Sequence, residues 1–301
     1  MKRYPSAIVA TQVVPWDEHY EFEENRFRRG VRKHVEHLTR HVYIFGTAGE
    51  GYAVNEQQFD EISTVFFDEM QKCGGRAMLG VISLSQTTIV DRIARGREMG
   101  YREFQISLPS WGPLEDKEVD NFFDGTCGRF PDCQFLHYNN PRTKRALDAD
   151  AYARLARRHP NLVAVKTGGA SSDDELQELI TKAPDLQFYP GKAGFAGIRD
   201  EHECGLLISL GSANHANARR FFNARGEDLA SLSRELDGIG EALFNSIDDG
   251  VKYVDGAYDK MLYKLHDPDF PLRLLPPYES TTDEMFENFR RNIPRNWLPD
   301  G

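Results

Sequence analysis

Residues 162–167 read LVAVKT, a short apolar run that ends at a lysine, Lys166. Such a run is typical of a buried strand, and burying an ammonium group is costly unless the group is neutral or paired. Lysines whose pKa falls on burial are the ones that attack ketones and form Schiff bases. A salt-bridged lysine at a strand end is the alternative, and it is the more common explanation for Lys166 considered alone.

Similar runs recur along the chain and indicate eight strands. The predicted strands cover residues 7–11, 42–47, 77–82, 103–108, 134–138, 162–166, 186–189 and 206–210. The segments between them show helical spacing, as at Phe59, Ile62, Phe66 and Met70. Eight strand–helix units in unbroken order predict an α/β fold, the (β/α)8 TIM barrel. A doubly wound open sheet is the competing architecture.

The strand pattern stops after Asn223. Leu229, Leu232 and Leu236 continue at steps of three and four residues, which indicates amphipathic helices without intervening strands. A last helix is predicted near residues 282–291, beyond a proline-rich break. We therefore predict two domains: the barrel with the active site over residues 1–223, and a small helical domain over residues 224–301.

Composition limits the class of protein. A formal net charge of −10 argues against nucleic-acid binding, which needs a basic face. No run approaches the ~20 apolar residues of a membrane span, and the N-terminus lacks the apolar stretch of a signal peptide. The four cysteines match no zinc framework. We therefore predict a cytoplasmic protein with small-molecule substrates, no nucleic-acid partner and no membrane association.

Three predicted strands end at residues that could carry chemistry together. Lys166, Tyr138 and Thr47 end the sixth, fifth and second strands, and catalytic groups of such barrels lie at the carboxyl ends of the strands. A phenol near a Schiff-base lysine can move protons. The backbone amides of Thr47, Ala48 and Gly49 could hold a carboxylate, because glycine lets the main chain approach closely.

Two further patterns suggest other functions and are better explained without them. Residues 46–51 read GTAGEG between a strand and a helix, but the spacing is not that of a dinucleotide or phosphate loop. In this stretch Glu50 is predicted to be a helix-dipole partner or a loop anchor. His34, His37 and His41 lie at helical spacing, yet the charged residues around them favour a solvated helix over a metal face. We predict no metal and no cofactor.

The sequence resembles the dihydrodipicolinate synthase / N-acetylneuraminate lyase superfamily of class I, pyruvate-type aldolases over nearly its whole length. The resemblance is carried by short motifs whose order and spacing agree with the superfamily: residues 11–15, GTAGE at 46–50, YNNP at 138–141, Lys166 with the valine before it, GLLIS at 205–209 with Asn214, and PLRLLP at 271–276.

The resemblance implies a role for each site residue. Lys166 is the imine-forming lysine, Tyr138 the proton-shuttling phenol, and Thr47 with the following amides the site of the substrate carboxylate. The residues implied to contact substrate are Thr47, Ala48, Gly49, Trp111, Arg142 and Ile208. The resemblance also implies a homo-oligomer, a tetramer or a dimer.

The sequence departs from the superfamily pattern in three places. The second of two successive hydroxyl residues is replaced by Ala48. In the synthase branch a tyrosine after the fourth strand relays protons, whereas Trp111 has no acidic hydroxyl. Trp111 is either a pocket wall or a core aromatic. Arg142 lies one residue nearer the tyrosine than the arginine that binds the second substrate in that branch.

The predicted function is that of a Schiff-base-forming lyase or aldolase, which cleaves or forms a C–C bond of pyruvate or another 2-keto acid. Three alternatives remain open. The first is a dehydratase of a deoxy-keto sugar acid that uses the same lysine imine. The second is dihydrodipicolinate synthase itself. The third is a non-catalytic sensor that binds keto acids.

Overall fold

The computed structural model of the chain describes residues 3–168, 172–247 and 252–298. Within these residues strands and helices alternate, as in an α/β protein, and helices alone follow the last strand. The seven strands are β1 (Val9–Thr11), β2 (His41–Ile44), β3 (Arg76–Gly80), β4 (Glu103–Ile106), β5 (Gln134–Asn139), β6 (Leu162–Thr167) and β7 (Gln187–Tyr189). The α-helices described are α1 (Glu24–His37), α2 (Glu56–Lys72), α3 (Gln86–Met99), α4 (Asp116–Gly125), α5 (Ala149–Arg158), α6 (Asp173–Lys182), α7 (Lys192–Ile198), α8 (His215–Asn223), α9 (Gly226–Asn245), α10 (Asp255–Lys264) and α11 (Asp283–Asn292).

The chain forms two compact units, each made of two segments. Unit 1 comprises Met1–Val9 and Ala77–Leu207, and unit 2 comprises Ala10–Arg76 and Ile208–Gly301. The domain boundary predicted after residue 223 stays a prediction.

Unit 1 is built on parallel strands that lie side by side in chain order, from β3 to β7. Each strand is followed by a helix, because a parallel neighbour can be reached only by a crossover connection. The strand residues are buried almost throughout, and the rings of Phe104 and Phe135 stack across β4 and β5 with centroids 6.0 Å apart. The near-continuous apolar runs of the sequence are thus those of strands covered on both faces.

The eighth predicted strand, over residues 206–210, is not formed among the described residues. Leu206 makes one isolated parallel bridge to Ile8, and a 3-10 turn (Leu210–Ala213) follows soon after. Leu206 and Leu207 are both buried. The apolar pattern therefore reports burial, and a single bridge is too short to make a strand. An eight-stranded closed barrel accordingly stays a prediction.

Unit 2 combines β2 with helices from both ends of the chain. Helix α2 buries Phe59, Ile62, Phe66 and Met70, which confirms the helix predicted from their spacing. Asn55 caps this helix: its side chain accepts a hydrogen bond from the amide of Gln58, whose side chain accepts from the amide of Asn55 in return. This reciprocal capping box fixes where the helix begins after the glycine-rich stretch.

The C-terminal helices predicted from the sequence are present. Helix α9 buries the apolar positions of the pattern, which are Leu229, Leu232, Leu236, Ile239 and Leu243. Helix α11 starts one residue later than predicted, because the side chain of Thr282 caps it by accepting from the amide of Met285. Among the helices described, none has the length and apolar character needed to cross a membrane.

Candidate active site

Lys166 and Tyr138 face each other in unit 1. Each is the penultimate residue of its strand, β6 or β5, and the two are register partners, so their side chains point to the same face of the sheet. Lys166 Nζ lies 4.2 Å from the centroid of the Tyr138 ring. Tyr138 is buried and Lys166 is half-buried. The ring face attracts the ammonium form of the lysine, so a proton has to leave the amine before it can attack a carbonyl.

A glycine makes room for the Tyr138 ring. A Cβ atom at position 168 would lie 2.7 Å from Cε2 of Tyr138, and the Gly168 amide donates to the carbonyl of Asn139 at 3.0 Å. On the other side of β6, Tyr189 is the register partner of Lys166, but its hydroxyl donates to the carbonyl of Pro5 at 2.7 Å. Tyr138, whose ring lies against Lys166 Nζ, is the better candidate of the two phenols for proton transfer.

The turn after β5 is held by its own side chains. Asn139 donates to the carbonyl of Leu147 and accepts from its amide, both at 3.0 Å. The side chain of Asn140 accepts from the amide of Arg142 at 3.0 Å, which fixes the 3-10 turn Pro141–Thr143. The Arg142 side chain projects from this turn and is exposed.

Trp111 is exposed over 85% of its surface. Its backbone carbonyl accepts a hydrogen bond from Lys144 Nζ at 3.0 Å, which ties the loop after β4 to the turn after β5. The sequence left open whether Trp111 is a core aromatic, and this exposure shows that it is not.

The glycine-rich turn, residues 46–51, follows β2 in unit 2. Strand β2 ends at Ile44, so Thr47 lies three residues beyond the strand rather than at its end, as the sequence had suggested. Thr47, Ala48 and Gly49 are all buried. A Cβ atom at position 49 would lie 2.7 Å from the backbone nitrogen of Phe45, so only glycine fits where the turn folds back on the strand end.

Glu50 closes this turn as a buried anchor. Its Oε1 accepts from Lys260 Nζ at 2.6 Å and from the indole of Trp16 at 2.9 Å, and its Oε2 accepts from the amide of Leu275 at 2.8 Å. Both charged side chains are fully buried. Burial lowers the pKa of Lys260, and the carboxylate of Glu50 opposes that shift. The prediction that Glu50 is a loop anchor is confirmed.

Sequence reasoning missed Lys260, although a signal was present. Helix α10 places Lys260 in the row of its buried residues Ala257 and Met261. A lysine on the apolar stripe of an amphipathic helix needs a buried partner, and that partner is Glu50. Ile208, also in unit 2, is only partly buried.

The three N-terminal histidines do not share a face. His34 is fully buried, His37 is exposed, and His41 begins β2. The His34 ring lies 5.3 Å from that of His215 and 5.8 Å from that of Tyr263, measured between centroids. Within the described residues no group of acidic, histidine or cysteine side chains is arranged to hold a metal ion.

The model of the dihydrodipicolinate synthetase family matches residues 4–223, well over half of the chain. The chain belongs to this family. Membership supports a class I, pyruvate-dependent aldolase or lyase that acts on a small keto acid, and leaves the reaction open. No curated protein sequence matches the chain significantly.

Solved structures from the family share the fold along nearly the whole chain. Dihydrodipicolinate synthase from Cyanidioschyzon merolae, with lysine bound, is 19% identical with a TM-score of 0.82 and covers 96% of this chain and 97% of its own. The family protein YagE from E. coli K12, in complex with pyruvate, is 12% identical with a TM-score of 0.82 and covers 95% and 96%. A monomeric dihydrodipicolinate synthase variant is 17% identical with a TM-score of 0.81 and covers 98% and 97%. At these identities the likeness establishes the α/β fold and no more.

Proposed function

We propose that this protein is a Schiff-base-forming lyase or aldolase that acts on pyruvate or another 2-keto acid. The amine of Lys166 attacks the keto carbon, and loss of water leaves an iminium. Electrons from a breaking C–C bond, or from a C–H bond at C3, flow into the iminium and give an enamine. Because the iminium is itself the electron sink, the proposed chemistry needs no metal and no organic cofactor.

One observation carries this proposal: Lys166 Nζ lies 4.2 Å from the centroid of the Tyr138 ring, on register-paired positions of β6 and β5. This contact places the amine, as nucleophile, against the ring of a phenol that could carry the protons imine chemistry requires. Pyruvate bound to the family protein YagE makes pyruvate the first substrate to test.

The substrate carboxylate is assigned to the glycine-rich turn. We propose that Thr47 and the amides of Ala48 and Gly49 receive it, as in the aldolases that the sequence resembles. Among the described residues, the backbone N–H groups of these three residues have no protein acceptor. Consecutive N–H groups without an internal partner are suited to an anion. Trp111, Arg142 and Ile208 are proposed as further substrate contacts.

Borohydride trapping tests the imine. Protein incubated with pyruvate and borohydride should gain one reduced pyruvyl group, located at Lys166 by peptide mass analysis. Lys166→Ala should abolish the adduct and leave the circular dichroism spectrum unchanged. Lys182→Ala is the matched control, because Lys182 lies on the surface of unit 1 in ion pairs with Asp150 and Glu178. An undiminished adduct in Lys166→Ala would disprove the assignment.

A substrate screen identifies the reaction. Keto acids are supplied alone to follow cleavage or dehydration, and with aldehydes to follow condensation; pyruvate release is one readout. Trapping without turnover on any of them would favour the keto-acid sensor. Aspartate semialdehyde belongs in the screen, and we expect negligible condensation with pyruvate, because Trp111 cannot relay protons. A kcat/KM on the order of 10⁴ M⁻¹s⁻¹ or more with this aldehyde would instead assign the synthase reaction.

The assembly and the compartment are also proposals. We propose a homo-oligomer, a tetramer or a dimer, in the cytoplasm. Light scattering at micromolar concentration distinguishes such an assembly from a monomer of 34.3 kDa. The monomer is the alternative to test, because the synthase variant that shares the fold is monomeric.

A further inference from the structure

The glycine-rich turn is strained. Phe45, which precedes it, and Glu50, within it, have φ angles of 60° and 56°, in the left-handed region that residues with a Cβ rarely adopt. The backbone folds tightly here, because a Cβ at position 51 would lie 2.2 Å from the carbonyl oxygen of Phe45. Strain of this kind persists only where surrounding contacts over-determine the conformation.

Those contacts converge on the carboxylate of Glu50. Its donors come from three separate segments of unit 2: Trp16 after β1, Lys260 on α10, and Leu275 near the C-terminus. Lys260 in turn donates to the carbonyl of Arg273, beside Leu275. Both oxygens of a fully buried carboxylate are therefore occupied, and the residue that carries it is itself a strained member of the turn.

A buried ion pair is weak evidence for stability, because desolvation of the two charges offsets most of their attraction. Apolar residues would fill the same space at no such cost. An apolar pair, however, forms no directed hydrogen bonds and so would not hold one backbone conformation. The hydrogen bonds of the Glu50 side chain fix the residue that directly follows Gly49. The amide of Gly49 has no protein acceptor within the described residues.

We propose that Glu50 is a positioning residue, whose buried pairing with Lys260 holds the amides of Thr47, Ala48 and Gly49 in the geometry that receives the substrate carboxylate. This inference rests on the proposed function. The pair of Glu50 and Lys260 determines how tightly the substrate binds, and Lys166 carries out the imine chemistry.

Glu50→Gln tests the role, because it keeps the shape of the side chain and removes its charge. The measurement is the pyruvate concentration that gives half-maximal borohydride trapping at Lys166. We expect this concentration to rise about tenfold, because charge-assisted hydrogen bonds are about twice as strong as neutral ones and the turn loosens without them. The trapping rate at saturating pyruvate should change less than the half-maximal concentration. Hydrogen exchange over residues 45–54 should accelerate.

The matched control is Glu69→Gln. Glu69 is buried to 2% exposure in the same unit and pairs with Arg28 and Arg32, at 3.0 and 2.6 Å, away from the turn. This variant should lose stability and leave the half-maximal pyruvate concentration unchanged. Loss of folded protein lowers the amplitude of trapping and raises the half-maximal concentration only by the reciprocal of the folded fraction, which urea denaturation gives for each variant. After this correction a merely structural role of Glu50 would make both variants behave alike.

The outcomes separate the two proposals. No adduct on the unmodified protein refutes the proposed function. An adduct with the same half-maximal concentration in Glu50→Gln, or with unchanged exchange over residues 45–54, overturns the positioning role alone. Should Glu50→Gln not fold, the double variant with Lys260→Met carries the same test, because it leaves no unpaired buried charge.

Discussion

Lys166 and Lys260 are two lysines withdrawn from water, one in each unit, and their partners differ. Lys166 lies half-buried with its ammonium 4.2 Å from the centre of an aromatic ring. Lys260 is fully buried, 2.6 Å from the carboxylate of Glu50. A ring face and a carboxylate both favour the charged amine, but a buried carboxylate holds the proton more strongly, and a nucleophile has to release that proton. The kind of partner, more than the extent of burial, therefore separates a structural lysine from a candidate nucleophile.

The largest effect is expected at the partner of Lys166. Tyr138→Phe keeps the ring that lies against the ammonium and removes only the hydroxyl. If that hydroxyl moves protons, kcat should fall by about 10²–10⁴-fold. Imine trapping at Lys166 should persist at a reduced rate, because the amine and its ring contact remain. Steady-state kinetics on the substrate found in the screen provides the measurement, and an unchanged kcat would reduce Tyr138 to a packing residue.

The next effect belongs to Lys260 and concerns stability rather than chemistry. Lys260→Met leaves Glu50 charged and buried without its cation, and the free energy of unfolding should fall by about 3–5 kcal/mol. Adding Glu50→Gln should restore most of the loss. Lys166→Met, at a half-buried position, should cost less than about 1 kcal/mol.

Urea denaturation of the four proteins, unmodified and variant, measures these differences. Equal losses for Lys166→Met and Lys260→Met would break the distinction between the two lysines. If adding Glu50→Gln to Lys260→Met did not restore the free energy of unfolding, Lys260 would act by packing rather than by its charge.

The smallest effect is expected at a group of buried histidines, bases that pack against one another rather than against a carboxylate within the described residues. The His215 ring stacks on that of His266, with centroids 4.5 Å apart, and its centroid lies 5.3 Å from that of His34. Burial, and to a smaller extent the neighbouring histidines, lower the pKa of His34 to about 4 and that of His215 to about 2. Lys33, which donates to the carbonyl of His266, and the exposed His37 add positive charge nearby.

The sign of the pH dependence follows from these directions. The unfolded chain takes up protons at its histidines below a pH of about 6.5, and the folded protein does so only at lower pH. Stability is therefore complete above about pH 6.5 and declines as the pH falls from there towards 4. Between pH 7.5 and 5 the loss should be about 2 kcal/mol for His34 alone. Urea denaturation at the two pH values measures it; His34→Leu should reduce the loss and His37→Gln should not.

Much of the architecture could be predicted because it follows from local pattern. The spacing of Phe59, Ile62, Phe66 and Met70 predicts α2, and the apolar runs predict β1 to β7. The eighth run failed for a physical reason: an apolar run records burial, and whether it becomes a strand depends on how far a neighbouring strand continues beside it. Among the described residues, Leu206 forms a single bridge, to Ile8.

Some residues of the candidate site could also be predicted from local pattern, and others could not. Lys166 and Tyr138 could be chosen from the sequence because each ends an apolar run, and parallel strands in register place such residues side by side. Lys260 could not be paired with Glu50 in advance, because the two are 210 residues apart and nothing local links a helix residue to a distant turn.

From the sequence one can predict the order of strands and helices, the family, and the lysine and tyrosine proposed to carry the chemistry, because side-chain periodicity and short motifs are local properties of the chain. The contact of Lys166 with the face of Tyr138, the exposure of Trp111 and the buried pair of Glu50 and Lys260 are known only from the fold. Contacts, exposure and charge pairing depend on which distant segments pack together, and that choice is made by the fold as a whole.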